Sequence, residues 1–300
     1  MEQKSILISI VLGTFNQVET LKKVLAEYEN QTLDKQLFEV IVIDSSSNDG
    51  SKEFYETYSP NFNFKYLIQK NNGKAAARNK GVEIATGKYI IITDADMIPN
   101  QNFIQTHLEA QKKTTNETCF EGQTLNMEKL EWPTNNQNVT PYIQRKIKNL
   151  AKLGWFYFLT GNISFPKSLF IKNNGFNETF LNYGWEDLEL GYRLQKQDIP
   201  LFYLKNAINY HYHVVTKKEE IERNVKKGES AKILVAIHPE LKLFCGLNPL
   251  SKAIFPIFKE TGRFYQFLFN KGLKSNSTFF KNFSFWFLKE HQYMKGILSI

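Results

Sequence analysis

The sequence predicts an α/β protein: a mostly parallel central sheet with flanking helices, followed by a helical C-terminal extension rich in basic and aromatic residues. Three observations predict it. Short apolar runs alternate with amphipathic segments through the first hundred residues, the order that gives strands joined by crossover helices. The run Tyr89-Ile90-Ile91-Ile92-Thr93 stops abruptly at Asp94-Ala95-Asp96, as a buried strand does where its carboxyl end meets solvent. The formal charge of +8 is one-sided: residues 217–300 carry 15 Lys/Arg against 7 Asp/Glu, whereas the first 216 residues carry 23 of each. That asymmetry sets the C-terminal part apart.

The elements follow in order. Ile6 to Leu12 reads as the first strand. From Thr20 to Tyr28, the residues Leu21, Val24, Leu25 and Tyr28 recur at helical spacing. Phe38 to Ile43 is the second strand and ends at Asp44. The following Ser45-Ser46-Ser47-Asn48-Asp49-Gly50 is turn chemistry, with Asn48 or Asp49 placed to cap the next helix. Lys65 to Gln69 is the third strand, and Asn71-Asn72-Gly73 turns the chain into an Ala-rich helix from Lys74 to about Ala85. Gly87 stops that helix, and Lys88 to Thr93 is the fourth strand. The polar, Asn-rich region from Thr114 to Gln144 reads as a long loop with irregular strands, a type that is usually functional or mobile. Thr160 to Pro166 is a strand. Trp185 to Gln195 is a helix with Leu190, Gly191 and Leu194 on its buried stripe and a Glu189–Arg193 pair at i,i+4. Leu201–Leu204 and Ala207–Tyr210 are short strands before His211-Tyr212-His213, and Glu219 to about Ile237 is a helix.

Composition, at 42% hydrophobic and 23% charged, is globular. No apolar stretch approaches the ~20 residues of a membrane-spanning helix. Met1-Glu2-Gln3-Lys4 leads directly into a short strand, so a cytoplasmic location is expected. Cys119 and Cys245 are expected to be free thiols in a reducing compartment.

The chemistry concentrates in two acidic clusters. In an extended segment alternate side chains share a face, so Asp94 and Asp96 project together past the small Ala95. Two such carboxylates repel unless a cation or a hydrogen-bonded ligand compensates. A lone Asp-x-Asp is usually a pair of solvated loop acids; its position after a buried strand is what makes a metal and nucleotide site the stronger reading. In the second cluster, Gly184-Trp185-Glu186-Asp187, the acids could simply complement a helix dipole. The functional reading is a general base, kept ionised by the dipole and the N-terminal amides. His211 and His213 face one side of an extended segment; the ordinary reading of either is a satisfied side chain, the functional one a ligand beside a carboxylate for a manganese-like ion. Lys74, Arg78 and Lys80 are either a solvated helix face or groups that neutralise a diphosphate.

In order, Thr14-Phe15-Asn16, Val42-Ile43-Asp44-Ser45-Ser46-Ser47-Asn48-Asp49-Gly50, Ala77-Arg78-Asn79-Lys80-Gly81, Thr93-Asp94-Ala95-Asp96 and Gly184-Trp185-Glu186-Asp187 resemble the family 2 glycosyltransferases of the GT-A fold. The Trp-Glu-Asp helix followed by Asn209-Tyr210-His211 is similar to the galactosyltransferase-type C-terminal half of bacterial chondroitin polymerases. The resemblance covers roughly residues 5 to 215. It implies a UDP-sugar donor, a divalent cation (Mn²⁺ or Mg²⁺) and single-displacement chemistry that inverts the anomeric carbon. It further implies that Thr14 and Phe15 line the base pocket, and that Asp44 contacts the uracil or ribose. Arg78 would help hold the donor, with Asp94 on the ribose and Asp96 and His211 on the metal. Gly161 and Asn162 would lie beneath the donor sugar. Asp187 would deprotonate the acceptor hydroxyl, with Glu186 orienting the acceptor, and Trp185 would belong with the donor-binding residues. Family members often carry two adjacent Asp after the second strand; here Ser45 follows Asp44.

The expected organisation is a glycosyltransferase domain over residues 1–243, with a nucleotide-binding half of about 1–100 and an acceptor half of about 101–243, and an extension over 244–300. A sugar-1-phosphate nucleotidyltransferase would need a Gly-rich, Arg-containing N-terminal loop, which Leu12-Gly13-Thr14-Phe15-Asn16 lacks. A nucleic-acid-binding protein using the basic tail leaves both acidic clusters unexplained, so no nucleic-acid partner is expected. A catalytically dead glycan-binding relative would need a broken motif. The extension interleaves its lysines with Phe255, Phe258, Phe264, Tyr265, Phe267, Phe279, Phe280, Phe283, Phe285, Trp286 and Phe287. It is either a helical subdomain with lysines outside, or a platform for the anionic inner leaflet, suited to a lipid-linked glycan acceptor.

Overall fold

A computed structural model describes residues 5–130, 139–182, 184–212 and 215–299. The chain falls into two compact units, Met1–Glu178 with Glu186–Val214, and Thr179–Trp185 with Val215–Ile300. The boundary expected near residue 243 lies inside the second unit.

The first unit is built on one mixed sheet. Its strands are β1 (Ile8–Thr14), β2 (Phe38–Asp44), β3 (Asn63–Ile68), β4 (Tyr89–Asp94), β5 (Met97–Pro99), β6 (Cys119–Met127), β7 (Thr140–Pro141), β8 (Lys152–Leu153), β9 (Ile163–Pro166) and β10 (Leu201–Tyr212). The order is β3-β2-β1-β4-β9-β6-β10-β5, with β7 on β6 and β8 on β10. Helices α1 (Val18–Glu29), α2 (Ser51–Thr57), α3 (Gly73–Ile84), α4 (Phe103–Lys113), α5 (Lys167–Lys172) and α6 (Glu186–Gln195) flank it. The strands β3, β2, β1 and β4 are parallel, as the alternation predicts, whereas β9 runs antiparallel between β4 and β6.

Burial on both faces explains why the central strands read as continuous apolar runs. Ile8, Ile10 and Leu12 of β1 join Leu21, Val24, Leu25 and Tyr28 of α1 in one core, while Val11 joins Ala77 and Val82 of α3 in the other. Three expectations change. The segment read as a loop from Thr114 to Gln144 contains β6, a strand in the middle of the sheet; residues 131–138 lie outside the described residues. Its polar residues hid it, because β6 pairs with three strands, β9, β10 and β7, through backbone groups that composition does not report. The two short strands after Leu201 are one strand, β10, with a register irregularity between Leu204 and Ile208. The N-cap of α2 is Gly50, but Asp49 Oδ1 accepts the Ser51 N–H at the start of that helix (3.3 Å), while its Oδ2 accepts the backbone N–H of Val18 at the start of α1 (2.8 Å). Helix α4 had no counterpart in the sequence reading.

The second unit comprises α7 (Lys217–Ile237), α8 (Pro249–Ile254), α9 (Arg263–Phe267) and α10 (Thr278–Leu298). A capping box starts α7: the Glu219 N–H donates to Thr216 Oγ1 and the Thr216 N–H to Glu219 Oε2. Ile221, Tyr265, Leu268, Phe287 and Leu288 form its core. Among the described residues no helix is long and apolar enough to cross a membrane. Both cysteines are buried and free.

Glycine lets α7 and α10 approach through their backbones. A Cβ at Gly228 would stand 2.1 Å from the Tyr293 carbonyl oxygen, and one at Gly296 would stand 2.0 Å from that of Val225. Alanine is the better helix former by ~1 kcal/mol, but here it meets backbone that cannot rotate away. Gly296→Ala should therefore destabilise the second unit by about 1–3 kcal/mol. Circular-dichroism melts of both proteins check this; an unchanged or raised Tm would mean that the helices are not in backbone contact.

Candidate active site

The site forms at the carboxyl ends of three neighbouring parallel strands. In register, Thr14 of β1 lies beside Asp44 of β2, and Gly13 of β1 beside Asp94 of β4. Open α/β sheets bind ligands there.

Asp96 follows β4 and leads into β5, which pairs antiparallel with the far end of β10 so that His211 sits opposite Met97. The Tyr212 N–H donates to the Asp96 carbonyl (2.9 Å), and His211 Nε2 comes within 3.6 Å of Asp96 Oδ2. The other ring nitrogen, Nδ1, contacts Asn126 Oδ1 of β6 at 3.2 Å. An amide oxygen only accepts, so Nδ1 carries the proton and Nε2 the lone pair. A ring lone pair facing a carboxylate suits a shared cation, since two ligand atoms on one ion of this size lie about 3 Å apart. His213 lies outside the described residues. Among the described residues no group of three or more His, Cys, Asp or Glu side chains is arranged to hold a metal, so this pair would need further ligands from a bound diphosphate.

Arg78 ties the two acidic clusters together. Its guanidinium, 2% exposed, donates through one terminal nitrogen to Asp94 Oδ1 and through the other to Glu186 Oε1, both at 2.9 Å. Its face lies over the Phe176 ring, 5.8 Å from the centroid. The solvated-face reading therefore fails for Arg78. Lys74, half exposed, contacts Asp94 Oδ2 at 3.3 Å and stays available to an anion above the site. Burial works against the Asp94 carboxylate, but Lys74 and Arg78 outweigh it and hold its pKa below the usual range. Arg78 Nε and Glu186 Oε2 are buried without hydrogen-bond partners among the described residues.

Helix α6 begins at Glu186, after two consecutive residues in the left-handed region, Gly184 (φ 91°) and Trp185 (φ 75°). Glycine adopts that conformation freely; tryptophan does so at a cost of roughly 1–3 kcal/mol. Trp185 is held there by its indole N–H, which donates to the Lys227 carbonyl (3.0 Å). Asp187, next to Glu186, is ionised at neutral pH as a base requires, but by a narrower margin than a helix N-terminus alone would give. Burial, and then the neighbouring Glu186 charge, push its pKa up from 3.8 to about 6, despite Arg78 and the Leu188 N–H. A helix N-terminus stabilises a carboxylate only modestly, and here desolvation wins. The group remains mostly ionised at neutral pH and is poised to accept a proton there.

Glu121 is a site residue that the sequence did not reveal. It lies on β6, is buried, and accepts the Leu159 N–H at Oε2 (3.1 Å). Burial raises its pKa well above the ordinary carboxyl value, with a further push from the Asp187 charge. Its only sequence signal is a lone acid inside a strand that reads as loop.

The remaining predicted residues are largely framework. Asp44 is buried, its Oδ1 accepting the Ser47 N–H (2.7 Å) and its Oδ2 the Tyr55 hydroxyl (2.9 Å), which shapes the Ser45–Gly50 loop. Thr14 is buried with Oγ1 unpartnered among the described residues, and Phe15 next to it is 48% exposed. The Gly161 carbonyl accepts from Thr93 Oγ1 (2.9 Å) and Asn209 Nδ2 (2.6 Å), binding this loop beneath the acidic motif. Asn162 is fully buried, its side chain bonded to His107 and to the carbonyls of Gln123 and Ala207.

Residues 9–172 match the profile of glycosyl transferase family 2, more than half of the chain. The chain belongs to that family. Residues 148–217 match the profile described as the N-terminal domain of galactosyltransferase. This family 2 glycosyltransferase is 29% identical to chondroitin synthase of Escherichia coli over 76% of its own length and 38% of that protein's. It is 28% identical to validoxylamine A glucosyltransferase of Streptomyces hygroscopicus over 65% of its length and 53% of the relative's. It thus spans between about a third and a half of these two relatives. Among solved structures it is similar to the Pyrobaculum calidifontis mannosyltransferase PcManGT in complex with GDP-Man and Mn²⁺ (TM-score 0.63, 14% identity, 99% of this chain and 88% of that one). It is also similar to Staphylococcus aureus TarS in complex with UDP-GlcNAc (TM-score 0.58, 15% identity, 83% of this chain and 76% of that one). At such identities the likeness establishes the GT-A type of fold.

Arg78→Ala should leave Glu186 buried without its cation and cost about 3–5 kcal/mol of stability. Arg78→Lys keeps the charge but cannot reach both carboxylates as a fork, and should fall between. Urea unfolding of the three proteins measures this; an Arg78→Ala protein as stable as wild type would show that the bridge contributes nothing.

Proposed function

We propose that this chain is an inverting, metal-dependent transferase. It moves a hexosyl or N-acetylhexosaminyl group from a UDP-sugar to a hydroxyl of a glycan or lipid-linked acceptor, in bacterial surface polysaccharide synthesis. The observation that carries the reading is the convergence of Asp94, Asp96 and His211 with Glu186 and Asp187 around the buried Arg78. The family, the UDP-GlcNAc complex of TarS and the polysaccharide-synthase relatives support the donor and acceptor classes. The positive charge of residues 217–300 supports peripheral attachment of a cytoplasmic enzyme to the inner face of the cell membrane.

A divalent cation, Mn²⁺ by preference or Mg²⁺, held by Asp96 and His211 and completed by the donor diphosphate, would offset the charge of the departing UDP. Thr14 and Phe15 border the base, with Asp44 shaping the loop against it. Asp94 meets the ribose and is kept ionised by Arg78 and Lys74. Gly161 and Asn162 form the floor under the donor sugar, Trp185 belongs to the donor-binding set, and Glu186 orients the acceptor. Asp187 takes the proton from the acceptor hydroxyl as its oxygen attacks the anomeric carbon opposite the leaving UDP. One displacement then inverts that carbon.

A panel of UDP-sugars, screened for hydrolysis and transfer, tests the reading as a whole. Transfer should vanish with excess EDTA and return with Mn²⁺, less fully with Mg²⁺. Asp96→Ala should lose UDP binding with turnover, read by calorimetry; full transfer in EDTA would sink the metal assignment.

The base makes a separate prediction. Asp187 must be ionised to act, and its pKa is raised to about 6. Transfer should therefore be constant above neutral pH and fall as pH drops through about 6. Asp187→Asn should lower kcat by ~10²–10⁴-fold, with little change in UDP affinity. If UDP affinity falls as far as turnover does, Asp187 serves the donor and is not the base.

A further inference from the structure

The C-terminal aromatics divide into two sets. Tyr265, Phe287 and Leu288 fill the core of the second unit. A second set stays outside it. On α10, Phe279 is 81% exposed, Phe283 37% and Trp286 53%. These positions are spaced i, i+4, i+7, so they form one stripe along the helix, and the Phe283 and Trp286 rings lie 6.1 Å apart. Phe264 and Phe267 of α9 are exposed as well and pack against α10, Phe264 on Phe287 and Phe267 on Phe280, at centroid distances of 5.3 and 5.9 Å. Contiguous exposed apolar surface of this kind marks an interaction site.

Charge says what covers it. From Thr261 to Lys289 the sequence holds five Lys/Arg and no Asp/Glu. Lys289 pairs with Glu220, but among the described residues Arg263, Lys271, Lys274 and Lys281 form no ion pair. A partner must therefore supply negative charge and bury phenyl and indole rings at once. A single-stranded nucleic acid supplies phosphates and bases that stack on such rings, but it leaves both acidic clusters without a role; an anionic bilayer supplies the charge and an apolar layer and suits a lipid-linked acceptor. No described helix is long and apolar enough to span a membrane, so the helix would lie on one.

We propose that the Phe279–Phe283–Trp286 face of α10, with Phe264 and Phe267, enters the interfacial layer of an anionic bilayer, where Arg263, Lys271 and Lys274 meet lipid phosphates. This inference rests on the peripheral-attachment reading and localises it: the lysine-rich extension as a whole is not the anchor, one helix face is.

The test uses the full chain and vesicles of phosphatidylcholine alone or mixed three to one with phosphatidylglycerol. Wild type should sediment with the mixed vesicles at low salt, release at high salt, and bind the neutral vesicles weakly. The combined variant Phe279→Ser, Phe283→Ser, Trp286→Ser should lose at least tenfold in partition, with its far-UV spectrum and UDP-sugar hydrolysis unchanged. Arg263→Ala, Lys271→Ala and Lys274→Ala together should remove the preference for anionic vesicles. A bilayer carrying brominated acyl chains should quench part of the wild-type tryptophan fluorescence, and Trp286→Phe should abolish that part. Wild type that ignores mixed vesicles at low salt overturns peripheral attachment and this inference together. Wild type that binds while the serine variant binds equally, or quenching that survives Trp286→Phe, overturns the helix-face assignment alone. A serine variant that differs from wild type in oligomeric state without lipid would make the stripe a contact between copies of the chain and overturn it too.

Discussion

The buried guanidinium of Arg78 is the interaction on which the rest of the site depends. Asp94 lies at the end of a central strand and Glu186 at the start of a helix 108 residues away along the chain. Two carboxylates brought that close would repel in a desolvated setting. A single planar cation with two donor edges holds both, and only arginine has that shape. The position of α6, and with it of Asp187, follows from this one side chain. Removing a buried partner costs more than the pair contributes, because the other charge is stranded; the bridge therefore enforces a geometry more than it adds stability.

Around that bridge, burial and charge compete residue by residue. Asp94 is desolvated yet stays ionised, since two cations face it. Asp187 and Glu121 are desolvated without matching compensation, and both shift upward. Carboxyls within one pocket are thus pushed apart in acidity by their surroundings, the arrangement by which proteins assign acid and base roles. His211 is set by a different device: Nδ1 lies against the amide oxygen of Asn126, which leaves Nε2 turned toward Asp96.

The second unit obeys a different constraint. Its two long helices are held at backbone contact by Gly228 and Gly296, so a small core of large aromatics suffices to close it. The aromatics left outside that core, Phe279, Phe283 and Trp286, share one face of α10 and lie within the longest acid-free part of the extension, from Thr261 to Lys289.

By itself the sequence determined the parallel strands β1 to β4, their crossover helices and both acidic clusters. These are local matters: strand and helix period are written in neighbouring residues, and an acid at the end of an apolar run announces itself. The five ordered motifs were enough to place the chain in its family. Tertiary structure decided the rest. Strand β6 was invisible because its polar residues are satisfied by partners far away in the chain. Asp49 serves two helices, because its second acceptor oxygen reaches across from one loop to another. Arg78 read either as a solvated side chain or as a donor-holding cation, because nothing local shows that Glu186 will close over it. The raised pKa of Asp187 was not legible, because a helix dipole can be read from sequence, while desolvation depends on every element that the fold packs around the group.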